Sequence, residues 1–267
     1  MTPDFGLIII GDEILSGKRA DKHLPKTIEL LQARGLQLAW AEYVGDSPER
    51  IEAALKRAFD SGDVVFSTGG IGATPDDHTR QCAAKALGVE LALHPQAAEL
   101  IRERMKDIAK EQGKPYEPDR DDNQHRLNMG VFPAGAEIIP NPYNKIAGFT
   151  VGSVHFVPGF PVMAWPMMEW VLDTVYPQHH QKSAWIEKSV IVFGAMEATL
   201  TPLMEDIERD FAGAKVFSLP SVDHPQHGRH IELGVKGAPA LIELAYPALL
   251  RGLEQFDARL GPELVRQ

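Results

Sequence analysis

The chain of 267 residues holds a single cysteine, Cys82, which excludes an intramolecular disulfide framework and any cysteine-rich zinc site. Basic residues are also scarce, since 27 Lys and Arg stand against 37 Asp and Glu and leave a formal net charge of −10. General nucleic-acid binding relies on a basic face that displaces counterions, so nucleic acid is not an expected partner. The same acidic field repels anionic ligands. A phosphate-bearing substrate would have to be held by backbone amides, a few placed cations or a metal. Long hydrophobic runs are missing as well: no stretch approaches the roughly 20 apolar residues of a membrane span. The apolar run 5–10 is too short for a signal-peptide core and has no basic segment before it. It reads as the buried first strand of a cytoplasmic protein with no membrane partner.

What is present is an ordinary globular composition, 44% hydrophobic and 24% charged, at a length that suits one large domain plus a small one. Strand-like and helix-like segments alternate through the first part. The pattern predicts strands over 5–10, 36–44 and 63–68, and helices over 23–34, 48–59 and 76–87. Ser47 stands at a helix cap, with Pro48 at the first helical position and Glu49 in the first turn. This alternation predicts an α/β fold with a mostly parallel sheet sandwiched by helices. A long helix over 94–112, a polar stretch over 114–124, short strands over 137–139, 147–151 and 154–157, and a closing helix over 163–176 complete a domain of residues 1–178. In that last helix Met163, Trp165, Met167 and Met168 pack against the sheet. The run 178–182 reads as a linker, and residues 179–267 as a small α+β domain of βαββα order.

Four segments follow strands at the place where an open α/β sheet puts its ligands, beyond the carboxyl ends. They are Gly11-Asp12-Glu13, Gly45-Asp46, the run from Ser67 to Asp77, and Pro158-Gly159. In Ser67-Thr68-Gly69-Gly70-Ile71-Gly72 the close glycines let backbone N–H groups approach an anion, and the two hydroxyls offer further donors. No Lys-Ser/Thr follows, so this is not a Walker A loop, and the glycine spacing is not that of a dinucleotide fingerprint. Thr74 and Asp77 have the spacing of a capping box. Asp76 beside Asp77 next to a phosphate loop makes chemical sense if a hard cation such as Mg²⁺ sits between the acids and the phosphate. His224, His227 and His230 read as a solvated hairpin loop rather than a metal site, and Cys82 as a packed core thiol.

These segments resemble the molybdopterin-binding domain shared by MogA/MoaB-type proteins and the N-terminal part of CinA-type proteins. The resemblance is carried by Gly11-Asp12-Glu13-Ile14-Leu15-Ser16-Gly17, by Val44-Gly45-Asp46, and by Thr68-Gly69-Gly70-Ile71-Gly72 with Thr74-Pro75-Asp76-Asp77-His78-Thr79-Arg80. Asn141-Pro142 and Pro158-Gly159-Phe160-Pro161 continue it, so it spans about the first 170 residues. It is nearest to the CinA-type branch. The deamidase domain of full-length CinA proteins lies outside these residues, so nicotinamide-mononucleotide deamidation is not expected of them. Two departures stand out. Residues 141–148 lack the family's GTAPG wording, and Val162-Met163 replace a Ser-Glu pair.

The resemblance implies a homo-oligomer with a Mg²⁺-assisted or similar divalent-metal site for phosphate-linked small molecules. By position, Asp46 and Asp77 match the acidic residues of the site, Gly69, Gly70 and Gly72 the anion loop, and Asp12 and Glu13 the first turn. The leading expectation is metal-dependent hydrolysis of a nucleotide pyrophosphate of the ADP-ribose or FAD class. In that reading Asp12, Asp46 and Asp77 hold the metal, while Glu13 or Asp76 orients the attacking water. Gly11, Ser67, Thr68, Pro158 and Gly159 complete the ligand-binding set. Molybdopterin binding or adenylylation, and a non-catalytic ligand-binding module, are the alternatives.

Overall fold

In the computed structural model, which describes residues 3–180 and 185–266, the apolar run forms strand β1 (Phe5–Ile10) and is buried along its whole length. Successive side chains of a strand take opposite faces. Ile8 and Ile10 accordingly join one core cluster, while Phe5, Leu7 and Ile9 join another. A strand buried on both faces belongs inside a sheet covered by helices on both sides.

The chain divides into two compact units, Met1–His180 and Gln181–Gln267. In the first, β1 is followed by the short helix α1 (Asp12–Leu15), α2 (His23–Gln32), β2 (Leu38–Val44), α3 (Pro48–Ser61), β3 (Val64–Thr68) and α4 (Thr79–Leu87). Then come β4 (Leu91–Leu93), α5 (Pro95–Glu111), α6 (Asp121–Leu127), β5 (Val131–Pro133), β6 (Glu137–Ile139), β7 (Gly148–Val151), β8 (Val154–Val157) and α7 (Pro161–Thr174). The main sheet runs β2-β1-β3-β8-β7-β6. Pairings from β2 through β8 are parallel and the last two are antiparallel. One face packs against α3, α4 and α5, the other against α2 and α7. This is the expected mostly parallel sandwich.

Three local differences have physical causes. The helix expected from residue 76 begins at Thr79, with His78 as its cap residue. Thr74 does not cap it: its N–H and hydroxyl both donate to Asp77 Oδ2, at 2.8 and 2.6 Å, which closes a separate turn. Ser47 stands at the cap position of α3, but its hydroxyl turns to Glu49 and makes no cap bond. The small antiparallel pair β4 and β5, too short to show a period, was not foreseen.

The second unit consists of β9 (Ile186–Phe193), α8 (Glu197–Asp210), β10 (Lys215–His224), β11 (Gly228–Gly237), α9 (Pro239–Leu253) and β12 (Arg259–Arg266). Its antiparallel sheet has the order β10-β11-β9-β12 and shares an apolar cluster with α8 and α9. The final strand was missed and β10 is longer than expected, because Pro262 and Pro220 argue against strands. Both prolines are tolerated because β12 and β10 are edge strands. The expected linker ends outside the described residues, and its first two residues, 178 and 179, lie in a 3₁₀ turn, Pro177–His179. No described helix is long and apolar enough to cross a membrane.

Candidate functional site

Because β2, β1, β3 and β8 are parallel neighbours, the four segments that follow them emerge along one edge of the sheet. They enclose a cavity of about 510 Å³. The turn after β1 contributes Gly11 and Glu13, and the turn after β2 contributes Asp46. Gly69, Gly70, Gly72, Asp76 and Asp77 come from the loop after β3, and Pro158 and Gly159 follow β8. Residues distant in sequence thus meet around one hollow.

The loop after β3 is held in an unusual way. Four consecutive carbonyls, those of residues 69–72, are bound from behind by the first two residues of α4. The Thr79 hydroxyl donates to Gly69 O at 3.1 Å, and the Thr79 N–H to Gly70 O at 3.0 Å. The Arg80 guanidinium donates to Ile71 O at 2.9 Å and to Gly72 O at 2.7 Å. In a trans peptide the C=O and the following N–H point in opposite directions. Pulling these four carbonyls toward α4 turns the N–H groups of Gly70, Ile71, Gly72 and Ala73 the other way. None of the four donates to a protein acceptor among the described residues, and all four residues line the cavity. A run of unpaired amides is a nest for an anion.

Two of the glycines are required by this path. Gly69 has φ 99°, and an added Cβ would stand 2.3 Å from the Ile10 carbonyl oxygen. Gly70 has φ 67°, with its Cβ position 2.1 Å from the Thr79 hydroxyl. Arg80 is only 4% exposed and forms no ion pair among the described residues. Burial lowers its pKa, with the Asp77 charge opposing that effect. A guanidinium nevertheless keeps its proton, so a fixed positive charge lies behind the loop.

Asp12 and Asp46 bind each other's backbone. The Asp12 N–H donates to Asp46 Oδ2 at 2.9 Å, and the Asp46 N–H donates to Asp12 Oδ1 at 3.2 Å. Asp12 therefore clamps the turns after β1 and β2 together and does not line the cavity, contrary to the expectation for a ligand. Burial pushes the Asp46 carboxyl above its ordinary pKa. The Asp12 N–H opposes this, and the charges of Asp12, Glu13 and Asp76 add to the rise. Among the described residues, no group of three or more His, Cys, Asp or Glu side chains is placed to hold a metal. The expected trio Asp12, Asp46 and Asp77 is not a ready-made cage, since Asp12 faces Asp46 and one Asp77 oxygen is bound by Thr74.

Ser67 and Thr68 also depart from expectation. Both are still in β3, so their side chains enter the packed layers before the chain turns at Gly69. Ser67 Oγ is buried without a partner, and Thr68 Oγ1 donates to Ile8 O at 3.4 Å. Neither lines the main cavity, but Thr68 lines a smaller cavity beside it.

Sequence reasoning missed Arg19, Met129 and Asn144 on the wall, and it read no role into Thr79 and Arg80. The departing segment 141–148 builds its own turn. Asn141 Nδ2 donates to Asn144 Oδ1 at 2.8 Å and to Ile146 O at 2.9 Å, while Lys145 takes φ 65°. Met163 fills the place next to Val162, where an acid was missing, and lines the cavity. Cys82 is buried, as expected, and burial pushes its thiol up to about 11. His224, His227 and His230 form a hairpin, but it is not simply solvated. Their ring centroids lie 4.9 to 5.7 Å apart, and His230 is buried.

The first unit is a mostly parallel α/β sandwich with a glycine-lined cleft at the carboxyl edge of its sheet. Residues 6–178, more than half of the chain, match the family model described as "probable molybdopterin binding domain", and the chain belongs to that family. A CinA-like protein of Anaeromyxobacter dehalogenans strain 2CP-C is 34% identical over 174 residues, which cover 63% of this chain and 40% of that protein. The chain thus spans less than half the length of that relative. A protein of Pyrobaculum calidifontis is 29% identical over 261 residues, 95% of each chain. The crystal structure of the CinA protein from Thermoplasma acidophilum, titled as of unknown function, superposes with a TM-score of 0.54 at 26% identity. It covers 65% of this chain and 98% of its own.

Proposed function

We propose that the cleft binds a phosphate-linked nucleotide and hydrolyses its pyrophosphate bond with the help of a divalent cation. The observation that carries this reading is the set of four unpaired amides at residues 70–73, backed by Arg80 and facing a cavity that also bears Glu13, Asp46, Asp76 and Asp77. Amides serve an anion, and carboxylates beside an anion serve a cation. Asp46 and Asp77 flank the cavity, which fits a magnesium-type ion that takes one or two carboxylates and completes its shell from phosphate and water. When bound, such an ion supplies Lewis-acid polarisation of a phosphoryl oxygen and a more acidic water.

The protein's own groups do the rest. The amides of residues 70–73 hold the non-bridging oxygens of one phosphate and fix its orientation. Glu13 orients a water and takes its proton as the water oxygen bonds to phosphorus. The bridging P–O bond then breaks and two monophosphates leave. Asp46→Asn is expected to lower turnover of ADP-ribose or FAD by at least about 100-fold, since it removes a charged group from the reacting centre. The circular dichroism spectrum is expected to stay unchanged. Turnover equal to wild type would end this assignment.

The family description favours a second reading, in which the same amides hold the phosphate of a molybdopterin and the cleft binds or adenylylates it. Purification with a fluorescent pterin bound, together with no release of monophosphates from ADP-ribose or FAD across a panel of divalent metals, would select this reading over hydrolysis.

A further inference from the structure

A second cavity of about 340 Å³ lies beside the first and shares a wall with it: Ile10, Glu13, Arg19, Gly159 and Phe160 line both. The two lobes differ in charge. The first carries Asp46, Asp76 and Asp77, and Arg19 is its one cation among the described residues. The second carries Lys22 and His23, and Glu13 is its one carboxylate among the described residues. Neither Arg19 nor Lys22 pairs with a described carboxylate, although acidic residues outnumber basic ones in this chain. Apart from Thr68, the remaining wall, including Ile9, Ile14 and Pro161, is apolar.

The lobes are also tied together mechanically. His23, 5% exposed, donates from Nε2 to the Gly159 carbonyl at 3.0 Å. Gly159 in turn packs over Gly69, with its Cβ position 3.5 Å from Gly69 Cα. The same short segment therefore forms a wall of the second lobe and rests on the start of the amide loop.

We propose that the second lobe is the subsite for the far half of a two-ended ligand, with Arg19 at the seam receiving its second phosphate. The class is a nucleoside diphosphate or its diester, with one phosphate on the amides and the next at Arg19. The sugar or ring beyond lies against the apolar wall. This rests on the phosphate reading above and adds the ligand's length and polarity. A second phosphate brought into an acidic cleft needs a cation beside it, and Arg19 is the one cation on the shared wall. Its planar fork suits a phosphate. A lobe of this size falls within the range of about 300–1,000 Å³ that small-molecule sites occupy.

Calorimetric titration with AMP and with α,β-methylene-ADP, both with Mg²⁺, tests this. The bridging carbon of the second ligand blocks hydrolysis. Wild type is expected to bind α,β-methylene-ADP about tenfold more tightly than AMP, the scale of one charge-assisted phosphate contact. Arg19→Gln should erase that advantage while leaving the AMP affinity within about twofold, because AMP would not reach the seam. Equal affinity of wild type for the two ligands, or an Arg19→Gln loss shared by both in the same proportion, would overturn the subsite. Failure of both ligands to bind wild type would remove the phosphate reading itself, and the subsite with it.

Discussion

The decisive residues of the cleft are Thr79 and Arg80, which touch no part of the cavity and act on the far side of the loop. Together they fix four successive peptide planes. Arg80→Met removes two hydrogen bonds from a charged donor and should lower stability by about 2–4 kcal/mol, read by chemical denaturation. It should also weaken phosphate binding, whereas Cys82→Ala, a core truncation on the same helix, should cost stability with little change in binding. Equal binding losses in the two variants would mean that Arg80 acts through stability alone. Gly70→Ala places a Cβ against the Thr79 hydroxyl at φ 67°. It should cost about 1–3 kcal/mol and loosen the same loop, measurable by denaturation and ligand titration. The glycines, and the Thr-Arg pair after Asp77, were legible in the sequence as types at a spacing. The direction of each peptide was not, because it depends on which side α4 returns. For the same reason Ser67 looked like a phosphate donor although its hydroxyl is buried in the packed layers, while Thr68 lines the second lobe and not the amide loop's cavity.

At the level of elements, the alternating pattern was readable wherever an apolar period ran long, as in β1, α3 and α7. It failed at short or proline-bearing pieces such as β4, β10 and β12, where edge position decides and sequence does not report it. A buried polar link joins three elements that the pattern did show. His155 in β8 is fully buried, and its ring nitrogens meet the Thr150 hydroxyl of β7 and the Tyr176 hydroxyl just beyond α7, each at 2.8 Å. Burial lowers its pKa to about 3. Below the ordinary histidine value of about 6.5 the unfolded chain takes a proton that the folded chain refuses, so stability falls as pH drops. The loss runs from about pH 6.5 down to about 3, at up to about 1.4 kcal/mol per pH unit from this group. His155→Gln keeps hydrogen-bonding atoms and removes the titration, so its stability–pH slope between pH 6 and 4 should be shallower by about one proton. Identical slopes in variant and wild type would show that His155 is not the group responsible.

For the whole molecule, acidity and architecture act together. With a net charge of −10 the chain gives an anion little general attraction, so the proposed phosphate site depends on local donors: the fixed amides, the buried Arg80 behind them and Arg19 at the seam. Every wall residue of both lobes lies in Met1–His180. A chain cut after His180 should therefore bind α,β-methylene-ADP with an affinity within about threefold of the full chain, a difference below 1 kcal/mol. A larger loss would assign part of the site to the second unit. Amide NMR offers the most direct test of the central claim. On titration with α,β-methylene-ADP and Mg²⁺, the N–H resonances of Gly70, Ile71, Gly72 and Ala73 should shift strongly. The N–H of Gly69, already bonded to Val157 O at 3.1 Å, should move much less. Saturable binding that leaves those four resonances in place would contradict the claim that they hold the phosphate.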